Sequence, residues 1–368
     1  LCGSSIPTDT HSKLLLIRTI MSECGCKGVR VCRLCEDRRI SMISPSVSFK
    51  IERHAEETFA EFKYCGKCGH VFIDSPTLSP CKDHINGPTF PGVTVLLEFI
   101  SEAEEEALIH EIDSSPWVPS QSGRYKQDYG VKVNFKKKRV VLSAFTGLPN
   151  YSRKLVRRLH QRMRETDPSF TEFYPVELCN LEYLPQRGAA IVPHVDDSWL
   201  WGERIVLLNL ASETNMLFTL PMKSGLPADS LAADEWNRYK AFSNEFLSEE
   251  VAQLLPRVTV HLPRRCLFVM SGPPRHVWLH EINRKDIKAR RISLTLRELS
   301  DEYLPHSEHL KPYAADNDAS GGDFAQPDPD SLTPQQCVGL SLIRLASTYN
   351  GVCVGMQTGQ TYFTKLKI

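Results

Sequence analysis

A histidine and an aspartate stand two residues apart at His194 and Asp196, in a stretch that is typical of a β-strand. Alternate side chains of a strand point to the same face, so this imidazole and this carboxylate should converge on one point. Joined by a distant histidine, they would form the two-histidine, one-carboxylate site that binds Fe(II) and leaves coordination positions open. Alone, the tripeptide is a weak signal, because a polar pair at the end of a strand has the same sequence.

Two histidines further along the chain, His276 and His280, are candidates for the third ligand. They lie four residues apart in a strand-like segment, so both would face the same side of a strand. The residues alone therefore leave the choice between them open.

A strand-like run with two arginines begins eleven residues after His280. Arginines that face the interior of a β-sandwich are costly unless an anion meets them. A dicarboxylate would meet them through paired guanidinium–carboxylate hydrogen bonds, and the alternative is a solvated pair at the rim. Alternation predicts one side with Ile292, Leu294 and Leu296 and the opposite side with Arg291, Ser293, Thr295 and Arg297.

The elements that must position these residues are mostly strands. Ser101 and Glu104 form a capping box that predicts a helix to about residue 112, and a second helix is predicted over 152–163. Strands without intervening helices favour an antiparallel sandwich or jelly roll, so the predicted class is mainly β with flanking helices (α+β). Predicted strands cover 93–99, 176–183, 189–194, 204–210, 257–262, 265–271, 276–281 and 290–299, with hairpins in 117–146.

Composition divides the chain into segments. It begins at Leu1 rather than Met, and we expect residues 1–20 to be an upstream segment outside the native fold. The early apolar run stops at Arg18, too short for a transmembrane helix or a secretory signal, so we expect a cytoplasmic and nuclear protein. The other predicted segments are a Cys-rich module (21–89), a main domain (90–303) with an insertion (221–250), a linker (304–333), a helix (334–350) and an uninterpreted tail (351–368).

Cysteines are concentrated near the N-terminus, where eight of the 12 lie within the first 81 residues. In a reducing compartment, clustered thiols are more typical of metal ligands than of disulfides. Four of them match the number that a tetrahedral zinc site needs, and free cysteines are the alternative. The candidate zinc ligands are Cys24, Cys26, Cys32 and Cys35, and a second cluster, left open, comprises Cys65, Cys68, His70, Cys81 and His84.

Composition also limits the classes of function. The 44 basic and 44 acidic residues give no net charge, which lends no support to a polyanion-binding protein as a whole. A local basic run could still meet phosphates, and aromatic residues near it could line a substrate pocket, although solvated surface and core are the commoner roles. The basic run is Lys132, Lys136, Lys137, Lys138 and Arg139, and the aromatic residues are Tyr125, Tyr129, Phe135 and Trp199.

These motifs resemble the AlkB-type 2-oxoglutarate dioxygenases over roughly residues 90–303. The matching residues are His194-x-Asp196, the distal His280, Arg291-x5-Arg297 and, upstream, Asn180-Leu-Glu-Tyr183. Shorter motifs make the chain look most like the AlkB homologue four branch. These are Cys24-Gly-Cys26, Cys32-x-x-Cys35, Gln121-Ser-Gly-Arg124, Lys132-Val-Asn-Phe135 and Trp199-Leu-Trp201-Gly-Glu203-Arg204.

The resemblance implies a double-stranded β-helix whose iron ligands are His194, Asp196 and His280. His280 is preferred over the other histidine because it precedes the arginine pair as the family's ligand does. By the same resemblance, Arg291 binds the cosubstrate, and Arg297 lies near both the cosubstrate and the substrate.

Asn180 and Tyr183 would also contact the cosubstrate if they follow the family. The family's usual arrangement is Asn-x-Tyr, which puts both side chains on one face of a strand. In this chain they are three positions apart, so we expect a β-bulge to bring them to the same face.

The activity implied by the resemblance is oxidative N-demethylation, which uses Fe(II), 2-oxoglutarate and dioxygen and releases succinate and formaldehyde. Substrates of the family are methylated bases in nucleic acid and, for the homologue four branch, methyl-lysine in protein, actin especially. We therefore expect a protein substrate, with N6-methyladenine or another methylated base as the alternative. A further alternative is a zinc-bearing interaction protein whose oxygenase core is inactive.

Overall fold

The structure, a computed structural model, describes residues 25–26, 32–42, 59–73, 87–141, 145–223, 226–246, 249–310, 313 and 331–353. Residues 1–20 and most of the predicted tail lie outside these ranges, as do Cys24, Cys81 and His84. No helix in the described ranges is both long and apolar enough to cross a membrane.

Short strands with alternating burial dominate the described chain. Along Leu255–Leu262, for example, half-buried or exposed positions alternate with buried ones, the pattern of a strand that packs on one face. In chain order the strands are β1 (Phe59–Tyr64), β2 (Val71–Ile73), β3 (Val93–Leu96), β4 (Val118–Pro119), β5 (Tyr125–Tyr129), β6 (Lys132–Asn134), β7 (Arg139–Val141), β8 (Pro175–Tyr183), β9 (Ile191–His194), β10 (Trp201–Leu210), β11 (Thr214–Thr219), β12 (Met222–Lys223), β13 (Leu226–Pro227), β14 (Leu255–Leu262), β15 (Leu267–Met270), β16 (Leu279–Ile282) and β17 (Arg291–Leu299).

The helices flank these strands. The predicted capping box is present: Ser101 Oγ accepts from the Glu104 amide (3.2 Å) and Glu104 Oε2 accepts from the Ser101 amide (2.8 Å). A helix follows the predicted linker as well. In chain order the helices are α1 (Arg33–Met42), α2 (Glu102–Asp113), α3 (Asn150–Met163), α4 (Ser230–Phe246), α5 (Glu249–Ala252), α6 (Gly272–His276), α7 (Ser307–Leu310) and α8 (Pro334–Ala346).

Two sheets form the sandwich that the sequence predicts. One sheet has seven strands in the order β3-β15-β10-β17-β8-β5-β4, and the other has six in the order β2-β1-β14-β11-β16-β9. Apart from the parallel β1–β14 pair, the strand pairs described in these sheets are antiparallel. The predicted fold class, mainly β with flanking helices and a jelly-roll core, is therefore confirmed.

Two apolar clusters lie on opposite faces of the seven-stranded sheet. One joins Ile292 and Leu294 of β17 to residues of α2, α3 and α8. The other lies between the two sheets, where Leu207 of β10 and Phe218 of β11 are buried. Because the even-numbered residues of β17 face the helices, its odd-numbered residues face the inter-sheet space, as the alternation predicts.

The Cys-rich module is not separated from the main domain at residue 89. Residues 59–73, which the composition assigns to that module, supply β1 and β2 to the six-stranded sheet. There β1 pairs along its length with β14. The composition of a segment does not report such pairing, because its partner strand lies far away in the sequence.

Two other predicted elements differ in detail. The strand expected over 276–281 is shorter, since His276 ends α6 and β16 begins only at Leu279. The 221–250 insertion contains α4, whose Tyr239 packs edge-on against Phe62 and Trp278 in the inter-sheet cluster. The insertion is thus part of the core that supports β16.

Candidate active site

The structure brings His194, Asp196 and His280 together at the open edge of the six-stranded sheet. His194 ends β9 and pairs directly with His280 of β16. Their potential ligand atoms all lie within 4.8 Å of one another, and His194 Nε2 is 3.7 Å from Asp196 Oδ1. His276 instead ends α6, where its Nε2 lies 2.8 Å from Glu203 Oε2. The strand parity expected for the two later histidines is therefore wrong, because they lie on different elements.

The protonation states of His280 and Asp196 suit a divalent metal. Burial favours neutral imidazole and lowers the pKa of His280 to about 3, with the adjacent His194 acting in the same direction. Burial alone would raise the pKa of Asp196, but the positive groups around it, Arg297 first, together outweigh burial and hold that pKa well below its usual range. Neutral imidazoles and an ionised carboxylate are the forms that bind metals.

Two arginines hold the aspartate in place. Arg297 donates from Nε to Asp196 Oδ2 (3.1 Å) and from Nη1 to Glu177 Oε2 (2.7 Å). Arg275, which is fully buried, donates to the backbone carbonyls of Asp196 (2.8 Å) and Trp201 (3.0 Å). The loop between β9 and β10 is thereby fixed from both sides, which restricts where the carboxylate can point.

Arg291 is fully buried between the sheets and incompletely paired. Its Nε donates to Asn209 Oδ1 at 2.7 Å. Among the described residues, neither Nη1 nor Nη2 has a hydrogen-bond partner. The guanidinium lies 4.7 Å from the centre of the Tyr183 ring. A buried cation with two unused donors is the complement of a carboxylate.

Asn180 is not part of this arrangement. Strand β8 pairs without a register shift from Leu178 to Tyr183, so the expected bulge is absent there. Asn180 consequently faces the helices, where its Nδ2 donates to Gln127 Oε1 (2.9 Å) and Tyr151 Oη (2.8 Å). The prediction that Asn180 binds the cosubstrate is wrong for this geometric reason, whereas Tyr183 does lie beside Arg291.

Two residues of the site, Asn209 and Arg275, are not predicted from the sequence. Asn209 anchors Arg291, and its own Nδ2 donates to the carbonyl oxygens of Leu262 (3.1 Å) and Pro263 (2.9 Å). Its signal in the sequence is a lone amide in an otherwise apolar strand end, Ile205 to Leu210. Arg275 has a weaker signal, since an arginine after two prolines is also typical of exposed loops.

The Cys-rich region gives a mixed result. Cys26, Cys32 and Cys35 have sulfur atoms within 4.8 Å of one another, while Cys24 lies outside the described residues. Of the second cluster, Cys65, Cys68 and His70 are described, and His70 Nδ1 faces the carbonyl oxygen of Cys68 at 2.9 Å. Among the described residues, these three do not bring their ligand atoms within 4.8 Å of one another, as the residues of the two potential metal sites do.

The aromatic residues predicted to line a substrate pocket lie in different parts of the structure. Tyr129 is buried against Tyr151 on the helix-covered face, so it does not line the inter-sheet space. Phe135 is exposed and stacks edge-on against Trp199, with ring centres 6.4 Å apart. Trp199 lies in the loop that follows Asp196, and Phe135 lies within the basic run, in the turn between β6 and β7.

Two imidazoles and one carboxylate match the ligand set of non-haem Fe(II) oxygenases, and the unpaired Arg291 donors match a dicarboxylate such as 2-oxoglutarate. The residues present therefore fit both groups. A jelly roll that carries them defines the class of Fe(II)- and 2-oxoglutarate-dependent dioxygenases.

Known proteins point to a particular family within this class, although no family model matches the chain. The chain is 39% identical over 292 residues to the alpha-ketoglutarate-dependent dioxygenase alkB homolog 4 of Mus musculus and 40% identical over 296 residues to that of Homo sapiens. These matches span 78% of this chain and 90% and 89% of those proteins.

A Caenorhabditis elegans protein named DNA N6-methyl adenine demethylase is 31% identical over 303 residues, which is 80% of this chain and 92% of that protein. A solved oxidoreductase of the 2OG-Fe(II) oxygenase family from Burkholderia pseudomallei is similar to 56% of this chain and 84% of its own, with 15% identity and a TM-score of 0.35. The chain belongs to the alkB homolog 4 family of alpha-ketoglutarate-dependent dioxygenases. It is an enzyme that uses Fe(II), 2-oxoglutarate and dioxygen, which argues against the interaction-protein alternative.

Proposed function

We propose that this dioxygenase removes N-methyl groups oxidatively from methylated lysine side chains in protein. His194, Asp196 and His280 hold the Fe(II), which, when bound, supplies the activation of dioxygen at the expense of 2-oxoglutarate. The observation that carries the dioxygenase assignment is the pair of unused Arg291 donors inside the same sandwich as this three-ligand cluster. The methyl-lysine substrate is supported by the resemblance to the AlkB homologue four branch.

The remaining residues bind and orient. Arg291 binds the carboxylate of 2-oxoglutarate that is remote from the metal, and Asn209 keeps its guanidinium in position. Arg297 and Arg275 fix the Asp196 side chain and backbone, which would limit the directions from which its carboxylate could bind a metal. The buried, apolar surroundings restrict the access of water to the reacting groups.

The carboxylates beside the cluster are paired with basic side chains. Glu177 and Asp128 lie on the inward faces of β8 and β5, and Arg297 links Glu177 directly to Asp196. Arg297 pairs with Glu177 and Lys126 pairs with Asp128, so these carboxylates do not by themselves select a methylammonium over a phosphate group. The resemblance to the AlkB homologue four branch makes methylated actin the first protein substrate to test, in a chain for which we expect a cytoplasmic and nuclear location.

A methylated base in DNA is the second candidate. It is supported by the name of the Caenorhabditis elegans relative and by the surface next to the site. There the exposed Phe135 offers a stacking face beside Lys136 and Lys137, a combination typical of single-stranded nucleic-acid binding.

The first experiment reconstitutes the protein with Fe(II) under anaerobic conditions and then measures the release of succinate from 2-oxoglutarate in air. Turnover is expected in the wild type, to be lost in Asp196→Ala and Arg291→Ala, and to persist in the matched control Arg290→Ala. Arg290 is the sequence neighbour of Arg291 but lies outside the inter-sheet space, paired with Asp113. Turnover that survives both site variants would refute the assignment.

The second experiment separates the substrate classes by the formaldehyde released from methyl-lysine peptides and from oligonucleotides with N6-methyladenine. Preference for the peptides, with little change between low and high salt, is expected. Preference for the oligonucleotide, with affinity that falls steeply as salt rises, would favour the second candidate.

A further inference from the structure

Three cysteines near the start of the described chain converge in a buried position. Cys26 and Cys32 are almost fully buried, and Cys32 Sγ lies 3.6 Å from Cys35 Sγ, well beyond a disulfide bond. The only apolar packing described around Cys26 and Cys32 is with Leu34 and Cys35. Such a small cluster cannot order a segment by hydrophobic burial, whereas a thiolate-bound metal can.

This cysteine cluster is packed against the turn over residues 120–124 without room for side chains between them. Gly25 donates its amide to the Ser120 carbonyl at 3.2 Å, and a Cβ on Gly25 would lie 2.7 Å from the Pro119 carbonyl oxygen. Gly123 has φ +76, and a Cβ there would lie 3.1 Å from Cys32 Cβ. The two glycines therefore allow the backbones to approach as closely as they do.

Helix α1 makes two further contacts with the main domain. Gly188 has φ +57, and a Cβ there would lie 2.6 Å from Arg33 Cβ. Glu36 accepts from both terminal nitrogens of Arg284, at 2.6 and 3.0 Å. The cluster and its helix thus bind the 120–124 turn, the turn around Gly188 and the segment after β16 at once.

The same turn reaches the cosubstrate side of the active site. Arg124 follows Gly123, is 7% exposed, and donates from Nε to the Gln121 carbonyl at 3.2 Å. Its guanidinium lies 6.0 Å from the centre of the Tyr183 ring. The guanidinium of Arg291 lies 4.7 Å from the centre of that same ring. A shift of the turn would therefore be transmitted through Arg124 and Tyr183 to the cosubstrate arginine.

We propose that Cys26, Cys32 and Cys35 bind a zinc ion that positions the 120–124 turn, and that the affinity for 2-oxoglutarate depends on this zinc. This proposal rests on the proposed role of Arg291 in binding the cosubstrate. The zinc takes no part in the oxidation. It supplies the order that the small apolar cluster around Cys26 and Cys32 does not, and thereby fixes Arg124 against Tyr183. Cys24, which the sequence analysis adds as a ligand, lies outside the described residues.

The first test counts and identifies the metal in the full-length chain. Zinc content is measured for the wild type, Cys32→Ser, the less buried Cys35→Ser and the control Cys337→Ser, which changes a thiol on α8. Because zinc could also enter the iron site, cobalt substitution reports the ligand type through its thiolate charge-transfer absorption. The proposal expects this absorption in the wild type, in Cys337→Ser and in Asp196→Ala, and its loss in both cluster variants.

The second test measures 2-oxoglutarate binding without turnover, with Mn(II) in place of Fe(II) under anaerobic conditions. Loss of the zinc, by variant or by a chelator, is expected to weaken 2-oxoglutarate binding by about tenfold or more, the size of typical outer-shell effects. Binding of Mn(II) itself should change little, and binding of 2-oxoglutarate should recover when zinc is returned to the chelated wild type. Arg124→Ala should weaken 2-oxoglutarate binding while the zinc content stays unchanged.

Several results would overturn the proposal. A wild type without thiolate-bound metal refutes the site. Unchanged 2-oxoglutarate affinity after zinc removal refutes the coupling. A wild type that retains zinc but never binds 2-oxoglutarate refutes the proposed function, and the coupling with it, so the zinc count tells the two failures apart.

Discussion

Replacing Arg291 by methionine should abolish 2-oxoglutarate binding without unfolding the protein. The arginine is fully buried, and the hydrogen bond to Asn209 is made by its Nε. The wild type therefore bears the cost of a desolvated charge that a bound dicarboxylate would compensate. Replacing a buried ion pair by apolar residues of similar volume is often neutral or stabilising by about 1–4 kcal/mol, and we expect a gain of that order when this unpaired charge is removed. Against this, Asn209 Oδ1 loses its donor, which costs about 1–3 kcal/mol.

These two contributions nearly offset, so the free energy of unfolding of Arg291→Met should lie within about 2 kcal/mol of the wild type when no cosubstrate is present. The free energies of unfolding of the two proteins should differ when the cosubstrate is present. At a concentration one hundred times its Kd, a ligand that binds only the native state adds about 2.7 kcal/mol to its stability. The wild type should show this increment, and Arg291→Met should show none.

Urea unfolding with Mn(II) under anaerobic conditions, with and without 2-oxoglutarate, measures both quantities. Arg290→Met is the matched control. It loses a partly exposed contact with Asp113 and its contact with the buried Glu182, should be destabilised by about 3 kcal/mol, and should keep the whole ligand increment. The reasoning fails if 2-oxoglutarate stabilises Arg291→Met as much as the wild type.

Three further predictions concern metal binding, a buried ion pair and a helix start. Asp196→Ala should lose affinity for Mn(II), measured by electron paramagnetic resonance, because only two imidazole ligands remain; unchanged affinity would place the metal elsewhere. Arg204→Met should destabilise the protein by about 3 kcal/mol at neutral pH, because it leaves Glu298 uncompensated and almost fully buried. Burial raises the pKa of Glu298, so the folded state binds a proton there more readily than the unfolded state does. The free energy of unfolding that Arg204→Met loses, measured with urea, should therefore become smaller as pH falls towards the ordinary carboxyl range. Ser101→Ala should cost about 1 kcal/mol in the same assay, and no effect would mean that the cap is not formed in solution.

Local periodicity is why much of the site is predictable from the sequence. The spacing of Arg291 and Arg297 places both side chains on one face of β17 whatever its neighbours are. Asp196 instead lies in the loop after β9, and Arg297 and Arg275 hold it beside His194. The capping box at Ser101 is local in the same way, since both of its hydrogen bonds lie within one turn. Features that depend on a few adjacent residues survive in any fold that keeps the element.

The unpredicted features depend on residues that are distant in the sequence. The anchor of Arg291 is Asn209, 82 positions away, and the partner of β1 lies in β14. Asn180 illustrates the opposite problem: a family spacing predicts a bulge, but the regular pairing of β8 on both sides removes the need for one. Which strands become neighbours is decided by the packing of the whole sandwich.

The parallel pairing of β1 with β14 also bears on how the chain acquires its structure. Phe59 pairs with Leu255, so 196 positions separate the two residues. At a synthesis rate of roughly 5–20 residues per second, β1 waits about 10–40 s on the ribosome for this neighbour. During that time the edge of β1 that will pair with β14 is open to other chains, and such non-local closure is slow in itself. Chains that end before residue 255 should therefore aggregate instead of folding into a stable N-terminal module.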